Sequence, residues 1–233
     1  MHHDAARLEG TVLVTGAASG LGAATAEALA DAGASPVVLD RVPPGPDLEH
    51  EIVDLADGRT AEEIVRRVVE RHPDTWAVVT CAGTDSCGTL EDIAAEDWER
   101  VIKVNLLGTA AVVRAALPAL QKNQGRIVTV ASTLGLRALS DATAYCASKF
   151  GVVGFTRALM AELAGRVGVT LLIPGGMQTH FFDDREDRYK PAPDQKLNRP
   201  EDVARSVLFA LSQPFGCEIR ELIITPSMEG SYP

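Results

Sequence analysis

The feature of this sequence that most constrains its fold is the alternation of short apolar segments with longer helical ones. The first pair sets the pattern: Thr11–Thr15 reads TVLVT, and Ala23–Ala32 is rich in the helix formers Ala, Leu and Glu. A strand without polar alternation is typical of a sheet buried on both faces. Alternating strands and helices favour a parallel sheet with right-handed crossovers. We therefore predict an α/β fold of three layers, doubly wound around a seven-stranded, mostly parallel sheet.

Later segments continue this pattern. The other strands are predicted at Pro36–Asp40, Glu51–Val53, Trp76–Thr80, Arg126–Ala131, Val169–Ile173 and Ile219–Thr225. The other helices are predicted at Ala61–Arg71, Trp98–Leu107, Ala110–Gln121, Ala144–Arg166 and Pro200–Leu211. Gly108 separates two of these helices, and Pro118 is expected to bend or shorten the second of them because proline disrupts helical hydrogen bonding.

Composition narrows the class of protein. The formal net charge of −10 disfavours binding to nucleic acid or to an anionic membrane. No apolar run approaches the ~18 residues of a membrane span, and the amino terminus lacks the apolar stretch of a signal peptide. The cysteines form no CxxC pair, so we expect reduced thiols and no metal site. We predict one soluble, cytoplasmic domain that spans residues 1–233.

A glycine-rich turn follows the first strand directly. Thr15–Gly22 reads TGAASGLG, a GxxxGxG spacing between a predicted strand and a predicted helix. Glycine lets the backbone approach a ligand closely, and free N–H groups at a helix start bind phosphate. A glycine triplet also serves tight turns for steric reasons, but this position favours a pyrophosphate site at Gly16, Gly20 and Gly22.

Acidic residues follow the next two strands. Asp40 ends the second strand, where a carboxylate can accept hydrogen bonds from the ribose hydroxyls of NAD and would repel the 2′-phosphate of NADP. Arg41 would attract that phosphate, so the two neighbours favour different dinucleotides. Asp54 and Leu55, after the third strand, are either adenine contacts or residues of an ordinary turn.

Tyr145 and Lys149 are four residues apart and therefore share one face of a predicted helix. A nearby ammonium stabilises a phenolate, so we expect Lys149 to lower the pKa of Tyr145 toward neutrality and make it an acid and base. Ser132 ends the fifth strand, at the sheet edge where functional groups of doubly wound folds collect. We expect it to hydrogen-bond a substrate oxygen; its alternative role is a turn or cap.

Together these motifs resemble the short-chain dehydrogenase/reductase superfamily, from Thr11 to about Leu211. The resemblance rests on the TGxxxGxG turn, the YxxxK pair and a serine at the end of the fifth strand. It implies a Rossmann fold and an oxidoreductase that moves a hydride between a nicotinamide dinucleotide and a carbonyl or secondary alcohol. The least regular segment, Gln178–Asn198, could by itself be a lid or a mobile surface loop. The resemblance makes residues 178–198 the substrate lid.

The resemblance also assigns catalytic roles. The family's Asn-Ser-Tyr-Lys set falls on Asn105, Ser132, Tyr145 and Lys149. Tyr145 would be the general acid for reduction and the base for oxidation, and Ser132 would orient the carbonyl. Lys149 would bind the nicotinamide ribose and tune Tyr145. Asn105 would help to hold a water that links Lys149 to solvent.

An extended cofactor site follows from the same resemblance. Pro174-Gly175 matches the family's PG motif, and Thr179 matches the threonine that contacts the carboxamide. NADP-preferring members place a basic residue where this chain has Ser19, so we predict NAD, with NADP less favoured. The cofactor-binding set is Gly16, Ser19, Gly20, Leu21, Gly22, Asp40, Arg41, Asp54, Leu55, Ala82, Gly83, Tyr145, Lys149, Pro174, Gly175 and Thr179.

Three segments depart from the family pattern. Thr80–Gly83 reads TCAG instead of NNAG, Ile173 replaces a usual asparagine, and Ile219–Pro226 lacks the usual Asp-Gly-Gly ending. The first change predicts different hydrogen bonding after the fourth strand, and the last makes the family's common tetramer less expected. Ala110–Gln121 and Phe150–Leu163 correspond to helices that pair across subunits in relatives, so we expect a homo-oligomer, at least a dimer.

Two alternatives remain at this stage. An NADPH-dependent 3-oxoacyl or polyketide-type ketoreductase would use Arg41, with Arg137 as a further anion contact. A non-catalytic dinucleotide sensor would account for the altered TCAG and IPGG segments, but it would not need the complete catalytic set.

The substrate pocket is expected to draw on Thr84–Leu90, Leu134–Ala142 and Met177–Phe182. Apolar side chains in these segments line either the pocket or the core: Leu134, Leu136, Met177, Phe181 and Phe182. The charged run Asp183–Arg188 is expected to be a solvated surface.

Overall fold

A computed structural model describes residues 8–45 and 47–232, which form a seven-stranded sheet with helices on both faces. The amino-terminal segment in which we expect no signal peptide lies mostly outside the described residues. All six strand pairings are parallel, in the order β3-β2-β1-β4-β5-β6-β7. The strands are β1 (Thr11–Thr15), β2 (Ser35–Asp40), β3 (Glu49–Ile52), β4 (Ala77–Thr80), β5 (Arg126–Val130), β6 (Gly168–Pro174) and β7 (Glu221–Ile224).

Six α-helices connect the strands within the described residues. They are α1 (Gly20–Asp31), α2 (Gly58–Arg71), α3 (Ala95–Ile102), α4 (Thr109–Lys122), α5 (Thr143–Glu162) and α6 (Pro200–Leu211). A π-helical turn, Lys103–Gly108, joins α3 to α4. Short 3₁₀ turns occur at Thr133–Gly135, His180–Phe182 and Asp187–Tyr189.

The sheet separates two apolar layers, which explains why its inner strands carry little polar alternation. Leu13 packs in the layer formed with α2, α4 and α5, whereas its neighbours Val12 and Val14 pack in the layer formed with α1 and α6. Successive side chains of a strand point to opposite faces, so both faces of β1 must be apolar. The predicted three-layer, doubly wound fold is confirmed.

The chain order places a crevice beside the carboxyl end of β1. From β1 the chain winds outward through β2 and β3 on one side, and through β4 to β7 on the other. The direction of winding therefore reverses between β1 and β4. In open parallel sheets, ligands bind at such a switch point, outside the carboxyl ends of the strands.

The connection between α3 and α4 differs from the prediction. We expected two helices separated at Gly108, but α3, the π-helical turn and α4 form one continuous helical segment. Of the two effects predicted for Pro118, a bend or a shorter helix, the second is wrong, because α4 continues past Pro118 to Lys122.

By length and composition alone, this segment, Ala95–Lys122, is long and apolar enough to cross a membrane. Our expectation that no apolar stretch of the chain would be long enough for a membrane span was therefore wrong. More than half of its most apolar window is buried inside the protein. Val112, Val113 and Leu120 belong to the main core layer, so the apolar character of this helix is accounted for by packing against the sheet.

Candidate active site

A large cavity of about 910 Å³ lies at the carboxyl ends of the strands. It extends from the acidic residues after β2 and β3 to the segment between β6 and α6. All of the predicted cofactor-binding residues line it: Gly16, Ser19, Gly20, Leu21, Gly22, Asp40, Arg41, Asp54, Leu55, Ala82, Gly83, Tyr145, Lys149, Pro174, Gly175 and Thr179.

The glycine-rich turn forms one wall of this cavity. Gly16 has a φ of +67° and Gly20 a φ of +57°, a region that residues with a side chain rarely adopt. A Cβ atom at Gly16 would lie 2.5 Å from the Cα of Ala82, so only glycine lets the turn pack against the end of β4. Ser19 precedes α1 and makes no side-chain capping bond. The first-turn amides of α1 therefore suit the phosphates of a dinucleotide.

Asp40 is held at the end of β2 by backbone amides. Its Oδ2 accepts a hydrogen bond from the Ala18 amide at 2.9 Å, and its Oδ1 accepts one from the Arg41 amide at 2.6 Å. The carboxylate therefore both braces the glycine turn and places a negative charge in the cavity.

Asp54 is held by a backbone amide and by an arginine side chain. Although partial burial alone would raise the pKa of this carboxyl group, hydrogen bonds from the Ala56 amide and the Arg100 guanidinium hold the pKa below its usual value. The Arg100 Nη2 lies 2.9 Å from Oδ2. Asp54 is thus ionised and fixed in position beside Leu55 at this end of the cavity.

Ser132, Tyr145 and Lys149 line the same cavity as the glycine turn. Ser132 caps the Thr133–Gly135 turn by accepting from the Leu134 amide at 3.1 Å, and it also hydrogen-bonds Tyr145. The Lys149 Nζ donates to the Val130 carbonyl at 3.0 Å and lies 5.5 Å from the centre of the Tyr145 ring. Ser132 therefore caps the turn and, in the same position, can still hydrogen-bond a substrate oxygen as predicted.

The expected lowering of the Tyr145 pKa is not observed. Burial raises the pKa of Tyr145, and the nearby Asp85 carboxylate raises it further; the hydrogen bond to Ser132 and the charge of Arg185 offset only part of this effect. Burial also lowers the pKa of Lys149 to about 8. Tyr145 is therefore a protonated phenol in this arrangement, which suits it to donate a proton.

Asn105 does not line the cavity. It is buried in the π-helical turn, where its Oδ1 accepts from the Thr84 amide at 2.8 Å. Its Nδ2 donates to the Thr84 carbonyl and to the Ser148 hydroxyl, each at 2.9 Å. Asn105 thus ties the segment after β4 to α5, the helix that carries Tyr145 and Lys149.

The altered TCAG segment finds other hydrogen-bond partners. The Thr15 hydroxyl accepts from the Ala82 amide at 3.1 Å, which links the ends of β1 and β4. Burial raises the pKa of the Cys81 thiol, which stays protonated. All four cysteines, Cys81, Cys87, Cys146 and Cys217, are free thiols.

The segments that we expected to line the substrate pocket do so only in part. Leu134, Met177, Phe181 and Phe182 line it, but Leu136 packs against the core. The expectation that Asp183–Arg188 is a solvated surface is wrong for Arg185, whose side chain lies inside the cavity and is 18% exposed. No periodic pattern could have predicted this position of Arg185, because the segment around it is irregular.

The carboxyl-terminal tail is a second unexpected part of this region. Glu229 accepts from the Gly176 amide at 3.1 Å, and Ser231 hydrogen-bonds Thr133, the neighbour of Ser132, at 2.6 Å. Arg137, considered above as an anion contact, instead donates to the Gly230 carbonyl at 2.8 Å. The tail therefore closes one side of the cavity over the segments after β5 and β6.

Comparison with known proteins agrees with this geometry. The family model described as short chain dehydrogenase matches residues 10–190. The 3-oxoacyl-(acyl-carrier-protein) reductase FabG of Thermotoga maritima is 33% identical over 226 residues, covering 88% of this chain and 92% of that protein. The L-fucose dehydrogenase of Mus musculus is 29% identical, covering 95% of this chain and 89% of that protein.

A solved structure shows the same architecture. A 3-oxoacyl (acyl-carrier-protein) reductase from Agrobacterium tumefaciens C58 with NADP bound superposes with a TM-score of 0.83 at 25% identity, over 97% of this chain and 99% of that chain. The chain thus belongs to the class of Rossmann-fold oxidoreductases that act on CH–OH and C=O groups with NAD(P). Within that class it is a member of the short-chain dehydrogenase/reductase family.

Proposed function

We propose that the protein transfers a hydride between NAD(H) and a carbonyl or secondary alcohol carbon, with Tyr145 as the general acid and base. The observation that carries this proposal is the meeting of the Ser132 hydroxyl, the Tyr145 phenol and the Lys149 ammonium in a cavity that the glycine turn also lines.

The bound dinucleotide would supply or accept the hydride. In reduction, Tyr145 gives its proton to the substrate oxygen as the carbonyl carbon becomes an alcohol carbon; in oxidation it takes that proton back. Ser132 orients the oxygen by donating a hydrogen bond. Lys149 holds a positive charge beside the phenol and stabilises the phenolate that forms when the proton leaves. Asn105 acts through its hydrogen bonds to the segment after β4 and to α5. We propose that it positions these two elements and helps to hold the water that would link Lys149 to solvent.

The preference for NAD over NADP rests on Asp40. Its carboxylate lies in the cavity and accepts its hydrogen bonds from backbone amides, and no ion pair within the described part of the chain neutralises its charge. A 2′-phosphate placed beside it would meet a like charge. We also propose that residues 178–198 are the substrate lid, and that the protein is a cytoplasmic homo-oligomer without nucleic-acid or membrane partners.

The substrate class is not set by family membership. One relative is named for a 3-oxoacyl group on acyl-carrier protein and another for the sugar L-fucose. The likeness to the reductases, one of which is described with NADP bound, supports the NADPH-dependent ketoreductase as the second candidate. The two candidates differ in cofactor: a lower Kd for NADPH than for NADH would favour the second.

Replacement of Tyr145 by phenylalanine tests the catalytic proposal. Tyr145→Phe keeps the ring but removes the transferable proton, so we expect turnover to fall by at least about 100-fold. The Kd of NADH should stay within about threefold, because binding depends mainly on the glycine turn and Asp40. Steady-state oxidation of secondary alcohols, followed by absorbance of the reduced nicotinamide, measures the first quantity, and fluorescence titration measures the second.

Two results would contradict the proposal. Undiminished turnover in Tyr145→Phe would remove Tyr145 from the chemistry. Tight NADH binding by the wild-type protein without turnover of any alcohol or ketone would instead favour the non-catalytic dinucleotide sensor.

A further inference from the structure

An ion pair lies at the substrate end of the cavity, beside the proposed proton donor. Asp85 comes from the segment after β4, and Arg185 comes from the segment between β6 and α6. The Arg185 Nη2 lies 2.8 Å from the Asp85 Oδ2, and the two side chains are only 18% and 6% exposed. The two residues are far apart in sequence, so this pair exists only in the folded protein.

Aromatic rings fix the guanidinium in place. Arg185 lies over the Phe181 ring at 5.0 Å and over the Phe182 ring at 4.6 Å. The Phe181 ring is in turn 5.7 Å from the Tyr145 ring, centre to centre. Arg185 is therefore one aromatic ring away from the phenol that would react with substrate.

The pair retains hydrogen-bonding capacity. The Nε of Arg185 is buried and has no partner among the described residues, and its Nη1 reaches the Tyr189 carbonyl only at 3.4 Å. Asp85 accepts from the Ser86 amide at 2.7 Å, from Arg185, and from the Cys87 thiol at 3.4 Å. A carboxylate offers about four acceptor positions and a guanidinium five N–H donors, so one acceptor position and three donors, the Nε–H among them, remain. A buried donor without a partner is costly, which favours a ligand that satisfies it.

The charged residues of the cavity determine which chemical group could bind beside the Asp85–Arg185 pair. Asp184, Glu186 and Glu229 also line the cavity, with Lys149 and Lys190 among its cations. A substrate carboxylate would be repelled by these carboxylates and by Asp85, whose ion pair with Arg185 reduces the attraction that Arg185 can offer. A neutral hydroxyl group can accept from Arg185 and donate to Asp85 at once, and the phenylalanine rings suit the C–H groups beside it.

We propose that Arg185 and Asp85 are specificity residues that bind a hydroxyl group near the reacting carbon. The substrate would then be a neutral hydroxy ketone or polyol, including sugar-type compounds, rather than an oxo acid or a plain acyl chain. This inference rests on the proposed function, since it takes Tyr145 as the place where the carbonyl oxygen binds.

Three ketones on one ring frame test the proposal: cyclohexanone, 2-hydroxycyclohexanone and 3-oxocyclohexane-1-carboxylate, each reduced with NADH. We expect kcat/KM for the hydroxy ketone to exceed that for cyclohexanone by at least about tenfold, and the carboxylate to be the poorest substrate. In Arg185→Met, the ratio of hydroxy ketone to cyclohexanone should fall about tenfold, because the hydroxyl loses its donor.

Arg188→Met is the matched control. Arg188 belongs to the same segment and also combines an ion pair, to Glu186 at 2.9 Å, with an aromatic contact, over Tyr189 at 4.6 Å. Its side chain is 65% exposed, so its loss should leave the ratio unchanged. A merely structural role of Arg185 would change both ketones equally and leave the ratio as it was.

The outcomes separate this inference from the proposed function. Reduction of cyclohexanone and the hydroxy ketone at similar kcat/KM, a ratio unmoved by Arg185→Met, or a preference for the carboxylate would overturn the inference and leave hydride transfer standing. Absence of NADH oxidation with every ketone, despite NADH binding, would overturn both.

Discussion

Single residues in this site serve the fold and the chemistry together. Ser132 caps a turn and hydrogen-bonds Tyr145. Asp40 accepts a hydrogen bond from the glycine turn and also places a negative charge in the cavity. Tyr145 shows that spacing alone does not determine a pKa. Lys149 is close by, as the i and i+4 spacing requires, but burial of the phenol outweighs the expected lowering.

A substitution at Asp40 can test the effect of its charge on cofactor choice separately from the effect of its hydrogen bonds. Asp40→Asn keeps an oxygen that can accept from the Ala18 amide but removes the negative charge. We expect the Kd ratio of NADPH to NADH to fall about tenfold, because the 2′-phosphate no longer meets a like charge. Fluorescence titration with both dinucleotides measures this ratio.

Asp40→Ala provides the comparison. It removes the brace of the glycine turn as well, so we expect weaker binding of both dinucleotides than in Asp40→Asn. An unchanged ratio in Asp40→Asn would show that Asp40 does not select the cofactor, and tighter binding of NADPH by the wild-type protein would favour the ketoreductase alternative.

At the scale of elements, helix and strand types followed from the sequence, but their ends depended on local contacts. Helices α1, α2 and α3 each begin three residues earlier than predicted, because their first turns contain glycine or charged residues without apolar periodicity. Helix α5 ends at Glu162 rather than at Arg166, before Gly165 at a φ of +73°. The π-helical turn had no sequence signal, since its extra residue is accommodated by packing of Gly108 against Leu55 and by the hydrogen bonds of Asn105.

Gly108 gives a prediction for this turn. A Cβ atom there would lie 2.7 Å from the Leu55 Cβ and 2.8 Å from the Leu55 carbonyl oxygen. Gly108→Ala should therefore force the helical segment away from the residues that follow β3 and lower the free energy of unfolding by about 1–3 kcal/mol. The urea midpoint of unfolding measures the change.

Gly58→Ala is the control, because it also lies in a helix but its Cβ would meet Ala111 at an ordinary 3.6 Å. We expect its free energy of unfolding to stay the same or to rise by up to about 1 kcal/mol, as alanine favours helix. Equal midpoints for the two variants would refute the close approach at Gly108.

The whole molecule leaves apolar side chains uncovered on the helical layer next to the site. Leu107 in the π-helical turn is 55% exposed and Phe150 in α5 is 45% exposed. They belong to elements in mutual contact, since a Cβ at Gly151 would lie 2.7 Å from the Leu106 side chain. Uncovered apolar residues of this kind fit the predicted pairing of subunits through α4 and α5.

Leu107→Glu tests that pairing. A charge at a two-fold interface occurs twice, so we expect the dimer dissociation constant to rise by about 100-fold or more. Sedimentation equilibrium measures the constant, and Leu90→Glu, at a 68% exposed position outside these helices, should not change it. A monomeric wild-type protein at micromolar concentration would remove the proposed interface.

What the sequence by itself determined is the part of the protein whose physics is local. Strand and helix periodicity, a glycine turn between them, and a tyrosine and lysine one helical turn apart were sufficient to predict the layered sheet and the part of the cavity that the glycine turn and Asp40 form. Tertiary structure alone decided the part of the cavity around Arg185. Arg185 and Asp85, and the tail at Glu229, come together from irregular segments far apart in the chain. Irregular segments carry no periodicity, and the burial that governs the charge of Tyr145 exists only after the layers have packed.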